Sequence, residues 1–153
     1  MPLRHVKLHG ALYNYAVERE DLFLAVVEAV RKAFGEIIFF TLATPGSALL
    51  KQSCASRGIR LALEAFPDRA YTDEGMLMPR KYPGAVIEGP ETIARRALAM
   101  VRDGGVTGAS GRRIGLEIDT LCIHGDNDAS IAAALLIREY ARGEGITIRA
   151  FGA

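Results

Sequence analysis

Residues 121–130, LCIHGDNDAS, place a histidine and an acidic side chain where an apolar run ends. His124 and Asp126 stand on either side of Gly125. An imidazole that a carboxylate orients can take a proton from water near neutral pH, so the pair could provide a general base. The same residues could form a turn that ends a strand and caps a helix, since glycine adopts conformations that other residues resist. The stretch therefore has a catalytic and a purely structural interpretation.

Two further segments carry side chains that could bind or react. The first runs from Lys7 through His9 and Tyr13 to Asn14. The second lies at and beyond the end of the apolar run over residues 59–66. It contains Glu64, Asp68, Arg69, Tyr71, Asp73 and Glu74. Lysine and arginine can bind a carboxylate or stabilise developing negative charge, arginine through two parallel hydrogen bonds. Each segment by itself could also be an ordinary solvated strand end or loop.

Alternating strand and helix patterns position these segments. Apolar runs predict strands over residues 5–8, 36–42, 59–66, 118–123 and 146–150, with a turn and a short β segment over 108–117. Helical spacing predicts helices over 21–34, from Thr44 to Gly58, from Pro90 to Gly104, and from Asn127 or Asp128 to Arg142. Residues 67–89 are polar and turn-rich, and connections of that length are usually functional. The pattern indicates one α/β domain over residues 1–153 with parallel strands.

Ligands of parallel α/β proteins bind beyond the carboxyl ends of the strands. The predicted strands over 5–8, 59–66 and 118–123 lead into the polar residues named above, whereas the strand over 36–42 exits through Thr41 and Thr44 only. If these strands are neighbours, the two histidines, the lysine, the arginine and several carboxylates converge on one rim. We expect the functional site there. His9, His124 and a carboxylate could also hold a divalent metal ion, with a spacing that only the tertiary structure sets.

The composition argues against several functional classes. The formal net charge is +1, with basic and acidic residues interspersed, which is unlike a nucleic-acid-binding surface. No apolar run approaches the roughly 20 residues of a membrane helix and no signal-peptide pattern is visible, so we expect a cytoplasmic protein without membrane contact. Cys54 and Cys122 have no CxxC partner and are expected to be reduced. Phosphate-loop, GxGxxG, HExxH and GxSxG motifs are absent from the sequence.

Four segments of the sequence resemble successive motifs of the LamB/YcsF family in order and spacing: VKLHGALYN, EAFPDRAYTDEGMLMPR, PGAVI and CIHGDNDAS. The resemblance implies a partial, distorted β/α barrel related to glycoside-hydrolase and polysaccharide-deacetylase barrels. It also implies a role in opening the lactam ring of 5-oxoproline to glutamate, with ATP consumption shared with two partner subunits, B and C. The polar positions of the family motifs are occupied here by Lys7, His9, Asn14, Glu64, Asp68, Arg69, Tyr71, Arg80, His124 and Asp126.

Roles for these residues follow from the implied reaction. An unactivated lactam resists hydrolysis, and phosphorylation of its carbonyl oxygen would give a better electrophile; the resemblance suggests that the partner subunits handle ATP. His124, oriented by Asp126, is the expected general base for water, with His9 as the alternative acid or base. Lys7 and Arg69 are expected to bind the substrate carboxylate or stabilise developing negative charge. The remaining positions are expected to complete the substrate site: Asn14, Glu64, Asp68, Tyr71 and Arg80.

The chain departs from the family pattern in three places. Leu8 replaces the proline of the usual Lys-Pro-His-Gly, and residues 127–129 replace the Thr-Pro-Gly that usually follows His-Gly-Asp, which should leave that loop less rigid. An N-terminal part of the family, with an Asp-Asn-Asp-type motif and a His-Ala-Gly motif, has no counterpart here. Because missing strands leave open sheet edges and uncovered apolar surface, we expect an oligomer of identical chains or an assembly with a separate N-terminal piece.

Two alternative functions stay open at this point. The chain could bind the partner subunits without doing chemistry, in which case it would co-purify with them without ATP-dependent glutamate production. It could also be a metal-dependent, deacetylase-like hydrolase, an interpretation that rests on fold analogy and would require one bound divalent ion per chain.

Overall fold

A computed structural model of the chain describes residues 3–125 and 128–151. The chain divides into two compact units, Met1–Glu64 and Ala65–Ala153. The prediction of a single domain over residues 1–153 stays a prediction. No helix within the described ranges is both long and apolar enough to cross a membrane.

The first unit is built on three parallel strands. Its elements in chain order are β1 (His5–Lys7), α1 (Gly10–Glu18), α2 (Glu20–Phe34), β2 (Ile38–Leu42), α3 (Ser47–Ala55) and β3 (Arg60–Ala65), whose last residue opens the second unit. Strand β2 lies between β1 and β3 and pairs with both in parallel. Four of its five residues are buried, the pattern expected for a strand covered on both faces.

Helix α2 confirms the predicted amphipathic helix over residues 21–34. Its apolar face buries Phe23 and Val27. Acidic residues lie in its first turn and basic residues in its last, which complements the helix dipole. The helix ends at Gly35, which has a φ of 75° and donates its N–H to Arg31 at 2.8 Å. Glycine reaches that conformation without steric cost, so the sequence signal for the helix end was correct.

Two features of the first unit differ from the sequence prediction. Helix α1, which buries Tyr13 and Ala16, was not predicted, because two inward side chains three residues apart are too few to mark a helix. Helix α3 begins at Ser47 rather than directly after Thr44. The Ser47 hydroxyl accepts the N–H of Thr44 at 2.8 Å, and this hydrogen bond holds the intervening residues in a turn.

The second unit contains α4 (Pro90–Asp103), β4 (Gly105–Thr107), β5 (Arg113–Gly115), β6 (Thr120–Leu121) and α5 (Asp128–Gly143). Helices α4 and α5 pack through a buried apolar cluster: Ala94, Ala97, Leu98, Ile137 and Ala141. Small side chains dominate this list, and they allow two helices to approach closely. Strands β4 and β5 form an antiparallel hairpin, and the N–H of Cys122 donates to the carbonyl of Ala65 at 2.8 Å.

Helix α4 has the sequence signals that were used to predict it. Pro90 occupies its first turn, where a missing N–H costs nothing. Gly104 closes it in the left-handed conformation, with a φ of 61°, and donates its N–H to Met100 at 3.0 Å.

The last two predicted strands are largely wrong. Of residues 118–123, only Thr120–Leu121 form a strand, and their side chains are half-buried rather than buried. Residues 146–150 form no strand in the described structure. The N–H of Ile146 donates to the carbonyl of Ala141 at 2.7 Å. The start of this segment is therefore hydrogen-bonded to the end of α5 in a turn. The alternative cap Asn127 lies outside the described residues.

The long segment 67–89 is made of turns and isolated bridges instead of a regular element. Bridges join Arg69 to Val86 and Tyr71 to both Leu77 and Gly108. A Cβ on Gly108 would lie 2.4 Å from Oδ1 and 3.1 Å from Cα of Asp73, so a larger residue there would displace Asp73. The segment is therefore fixed to the rest of the second unit.

Candidate active site

A histidine and a buried aspartate form the centre of the site in the second unit. Asp68 is only 3% exposed. Its Oδ2 accepts the backbone N–H of His124 at 3.2 Å and lies 2.5 Å from Nδ1 of the same residue. Two hydrogen bonds to one oxygen fix both the backbone and the ring of His124. Nδ1 therefore carries its proton towards the carboxylate, as in a catalytic histidine held by an acidic residue.

The second ring nitrogen of His124 faces an arginine. Nη2 of Arg80 lies 3.2 Å from Nε2 of His124. A guanidinium has donors only, so Nε2 is the acceptor and carries a lone pair. The Phe66 ring stacks on the imidazole, with centroids 5.6 Å apart. In the tautomer that these two contacts favour, Nε2 is the unprotonated nitrogen that a general base needs.

Arg96 of α4 positions Asp68 through the backbone on both sides of it. Its Nε donates to the carbonyl of Pro67 at 2.9 Å and its Nη2 to the carbonyl of Arg69 at 2.8 Å. Burial lowers the pKa of the Arg96 guanidinium from its ordinary value, while the neighbouring Tyr71 and Asp68 act in the opposite direction. The sequence prediction missed this residue. The sequence feature that could have identified Arg96 is its position three residues after Ile93, which is buried on the apolar face of the helix.

Arg69, predicted to bind a substrate carboxylate, is used to hold segment 67–89 together. It is 7% exposed. Its Nε donates to the carbonyl of Ala85 at 3.1 Å and its Nη2 to that of Met78 at 2.6 Å. Burial, followed by the nearby charge of Arg80, lowers its pKa. Its predicted role as a carboxylate ligand stays a prediction, and two of its donors are already occupied.

Tyr71, another predicted substrate residue, is also part of this framework. Its side chain is 1% exposed, and its hydroxyl accepts the backbone N–H of Phe66 at 2.8 Å. The bond fixes the backbone two residues before Asp68. Tyr71 therefore supports the aspartate from within the segment.

A cavity of about 350 Å³ opens beside the histidine. Nine of the described residues line it: Asp68, Arg69, Arg80, Val86, Ile87, Glu88, His124, Ala129 and Ser130. The volume lies at the lower end of the range for small-molecule sites, roughly 300–1,000 Å³. Apolar walls combined with a few charged groups are the usual composition of such a site.

Oδ1 of Asp68 is buried and has no hydrogen-bond partner among the described residues. A buried carboxylate oxygen in that state is costly unless a ligand or water satisfies it. Within the described ranges, no group of three metal-ligating side chains lies close enough to hold an ion. The alternative that the site holds a divalent metal ion, which the sequence left open, stays a hypothesis.

A second polar group lies in the first unit. Lys7 is level with Ala62 in the parallel sheet, two residues before Glu64 on the same face of β3. Its Nζ donates to Oε2 of Glu64 at 2.8 Å, and the hydroxyl of Tyr13 donates to Oε1 at 2.8 Å. Glu64 is 1% exposed, so its carboxylate is satisfied inside the protein by one cation and one hydroxyl.

Of the remaining predicted site residues, His9 and Asn14 are not part of either group in the described structure. His9 and Asn14 are exposed at the start and on the surface of α1, and the carbonyl of His9 accepts the N–H of Tyr13 at 3.4 Å. Asp126, the predicted partner of His124, lies outside the described residues. The predicted convergence of all these side chains on one rim stays a prediction, while the contacts above join Lys7 to Glu64 and both Asp68 and Arg80 to His124.

Comparison with known proteins gives a consistent result. The model of the LamB/YcsF family matches residues 1–153. The A subunit of 5-oxoprolinase from Pyrococcus furiosus is 44% identical over 152 residues, which are 99% of this chain and 58% of the relative. That of Syntrophobacter fumaroxidans is 45% identical over 151 residues, again 58% of its length. The chain thus spans less than two thirds of the curated relatives it matches.

A solved structure supports the fold. The lactam utilization protein from Thermus thermophilus superimposes with a TM-score of 0.82 at 40% identity, over 99% of this chain and 59% of that one. This confirms the predicted α/β fold with parallel strands that do not close into a barrel.

Proposed function

Because the chain belongs to the LamB/YcsF family, we propose that it acts in the hydrolysis of a cyclic amide, as the A subunit of a 5-oxoprolinase that opens 5-oxo-L-proline to L-glutamate. Two relatives of that name match 99% of the chain. The chain spans 58% of their length, so the reaction of the whole protein is a proposal for this chain.

The observation that carries the proposal is the Asp68–His124 pair beside a cavity of about 350 Å³. Nε2 of His124 would take a proton from water as the water oxygen attacks the lactam carbonyl carbon. Asp68 would stabilise the imidazolium that forms. When the C–N bond breaks, the ring nitrogen takes a proton and leaves as the amine of glutamate.

ATP and partner subunits belong to the same proposal. A lactam is a poor electrophile, and transfer of the ATP γ-phosphoryl group to its carbonyl oxygen, with release of ADP, would make the carbonyl carbon more electrophilic. After water has added and the C–N bond has broken, an acyl phosphate would remain, and its hydrolysis by a second water would give glutamate and phosphate. The relatives are named as one subunit of an enzyme, which supports partners that share the reaction. We assign the handling of ATP to subunits B and C and the binding of 5-oxoproline to the cavity of this chain, in the cytoplasm.

The test is a reconstitution. This chain is mixed with separately purified subunits B and C from the same source, 5-oxoproline and ATP, and glutamate is measured with time. We expect glutamate formation that requires all three chains and ATP. Assembly of the three chains without glutamate would contradict the proposal.

A second candidate function is that of a binding component without catalysis. The exposed apolar side chains of α5 favour it, since Ile131 is 54% and Leu135 is 68% exposed. Exposed apolar groups on one helix are a feature of protein–protein contacts. In that case the chain would co-purify with the partner subunits and the His124→Ala variant would leave the rate of the assembly unchanged.

A further inference from the structure

The contact between Arg80 and His124 occupies the nitrogen that a general base needs. Nη2 of Arg80 lies 3.2 Å from Nε2, and Nδ1 on the other side of the ring is engaged by Asp68. The Nε2 lone pair can accept one hydrogen. While it accepts from Arg80, it is not available to accept from water.

The arginine is held loosely compared with its neighbours. Arg80 is exposed, and within the described ranges its one hydrogen bond is the contact with His124. Arg69 on the same cavity is buried and donates to two backbone carbonyls of segment 67–89. Moving Arg69 would break the framework of the segment. Moving Arg80 breaks a single exposed contact.

A carboxylate would compete effectively with the imidazole for Arg80. A guanidinium and an imidazole form one hydrogen bond with a single charged partner, whereas a guanidinium and a carboxylate carry opposite charges and frequently form two parallel hydrogen bonds. The substrate of the proposed function carries a carboxylate on the lactam ring. Arg80 also lines the cavity in which that ring would bind.

We propose that Arg80 determines specificity by exchanging partners: it leaves Nε2 of His124 for the carboxylate of a bound anionic lactam, so that the base is released only by a substrate with that group. The inference rests on the proposed function and deepens it. It names the ligand class, a five-membered lactam with an α-carboxylate, and assigns its recognition to Arg80 in place of Arg69.

Nuclear magnetic resonance of the histidine side chains tests this directly in the intact chain. The chain has three histidines, so the ring nitrogens of His124 can be assigned after ¹⁵N-histidine labelling by comparison with the His124→Gln variant. The probes are 5-oxoproline and 2-pyrrolidinone, the same ring without the carboxylate. We expect 5-oxoproline to shift the Nε2 resonance of His124 and 2-pyrrolidinone to leave it unchanged.

The variant Arg80→Gln removes the charge and the fork while keeping an exposed polar side chain. We expect its His124 to show the released Nε2 resonance without ligand, and its preference for 5-oxoproline over 2-pyrrolidinone in binding to fall about tenfold or more. The matched control is Arg95→Gln, an exposed arginine on α4, which should keep the wild-type preference.

The outcomes separate this inference from the proposed function. Binding of 5-oxoproline without a change at Nε2, or an Arg80→Gln variant with the wild-type preference, overturns the inference while glutamate formation still supports the function. If 5-oxoproline releases Nε2 but the reconstituted assembly forms no glutamate, the inference is supported and the proposed function is overturned. A wild-type chain whose His124 responds to neither lactam overturns the inference.

Discussion

One carboxylate oxygen of Asp68 binds His124 twice, at the backbone N–H and at Nδ1, across a separation of 56 residues in the chain. The double contact fixes the position of the residue and the tautomer of its ring together. This pair, and the contacts that support the two polar groups, lead to four expected outcomes in mutagenesis.

Replacing His124 by alanine removes the proposed base. General-base catalysis contributes about 10²–10⁴-fold, so glutamate formation by the reconstituted assembly should fall by at least about 100-fold. His5→Ala is the matched control, because His5 is exposed and stacks on Phe40 in the first unit. Glutamate assays and size-exclusion chromatography check activity and assembly together. A rate within about tenfold of wild type would remove His124 from the catalytic role.

Asp68→Asn keeps the size of the side chain and removes its charge. The amide can present its NH₂ to Nδ1, which would favour the wrong tautomer and place the ring proton on Nε2. We expect a loss of about 10²–10⁴-fold in glutamate formation together with a changed ¹⁵N pattern of His124. A rate loss with an unchanged tautomer would mean that Asp68 acts in some way other than orienting the ring.

Arg96→Leu tests the support of the aspartate from α4. The change leaves the carbonyls of Pro67 and Arg69 without their guanidinium donor, and unsatisfied buried acceptors cost about 1–3 kcal/mol. Urea unfolding should show a loss of that order, whereas Arg95→Leu on the exposed side of the same helix should change little. Arg96→Lys, which keeps one donor, should recover part of the stability. Equal losses for the Arg95 and Arg96 variants would indicate that the clamp contributes nothing specific.

The buried pair of Lys7 and Glu64 predicts strongly non-additive mutations. Lys7→Met leaves the Glu64 carboxylate buried without its cation, a change that costs about 3–5 kcal/mol in comparable cases. Combining it with Glu64→Gln removes the uncompensated charge, so the double variant should be more stable than Lys7→Met alone. Free energies of unfolding from urea titrations give the coupling. Additive losses would show that the two side chains act independently.

Local patterns predicted those elements whose own residues determine them. The apolar run over 36–42 became β2, and the glycine after residue 34 ended α2 as expected. The strand predicted over 118–123 was largely wrong because the side chains of this run are only half-buried, which the composition does not reveal. Burial on both faces depends on what packs against a strand, and the strand itself does not encode it.

The site was predicted only in part, because its contacts also depend on residues that are distant in the sequence. His124, Asp68 and Arg80 were all selected as candidates, but Asp126 was expected to orient the histidine because it stands two residues away in the sequence. In the described structure a carboxylate 56 residues away makes that contact. Arg96 was missed because its contacts are with backbone carbonyls, which every residue has and no sequence motif marks.

The guanidinium contacts of Arg69 and Arg96 have a thermodynamic consequence for ligand binding. They hold backbone carbonyls within and beside segment 67–89, so the wall of the cavity is ordered before any ligand arrives. Ordering a residue costs about 1–2 kcal/mol in backbone entropy. Because that cost is met when the chain folds, it does not reduce the affinity of the site for its ligand. A cavity framed in this way can bind a small molecule with few contacts.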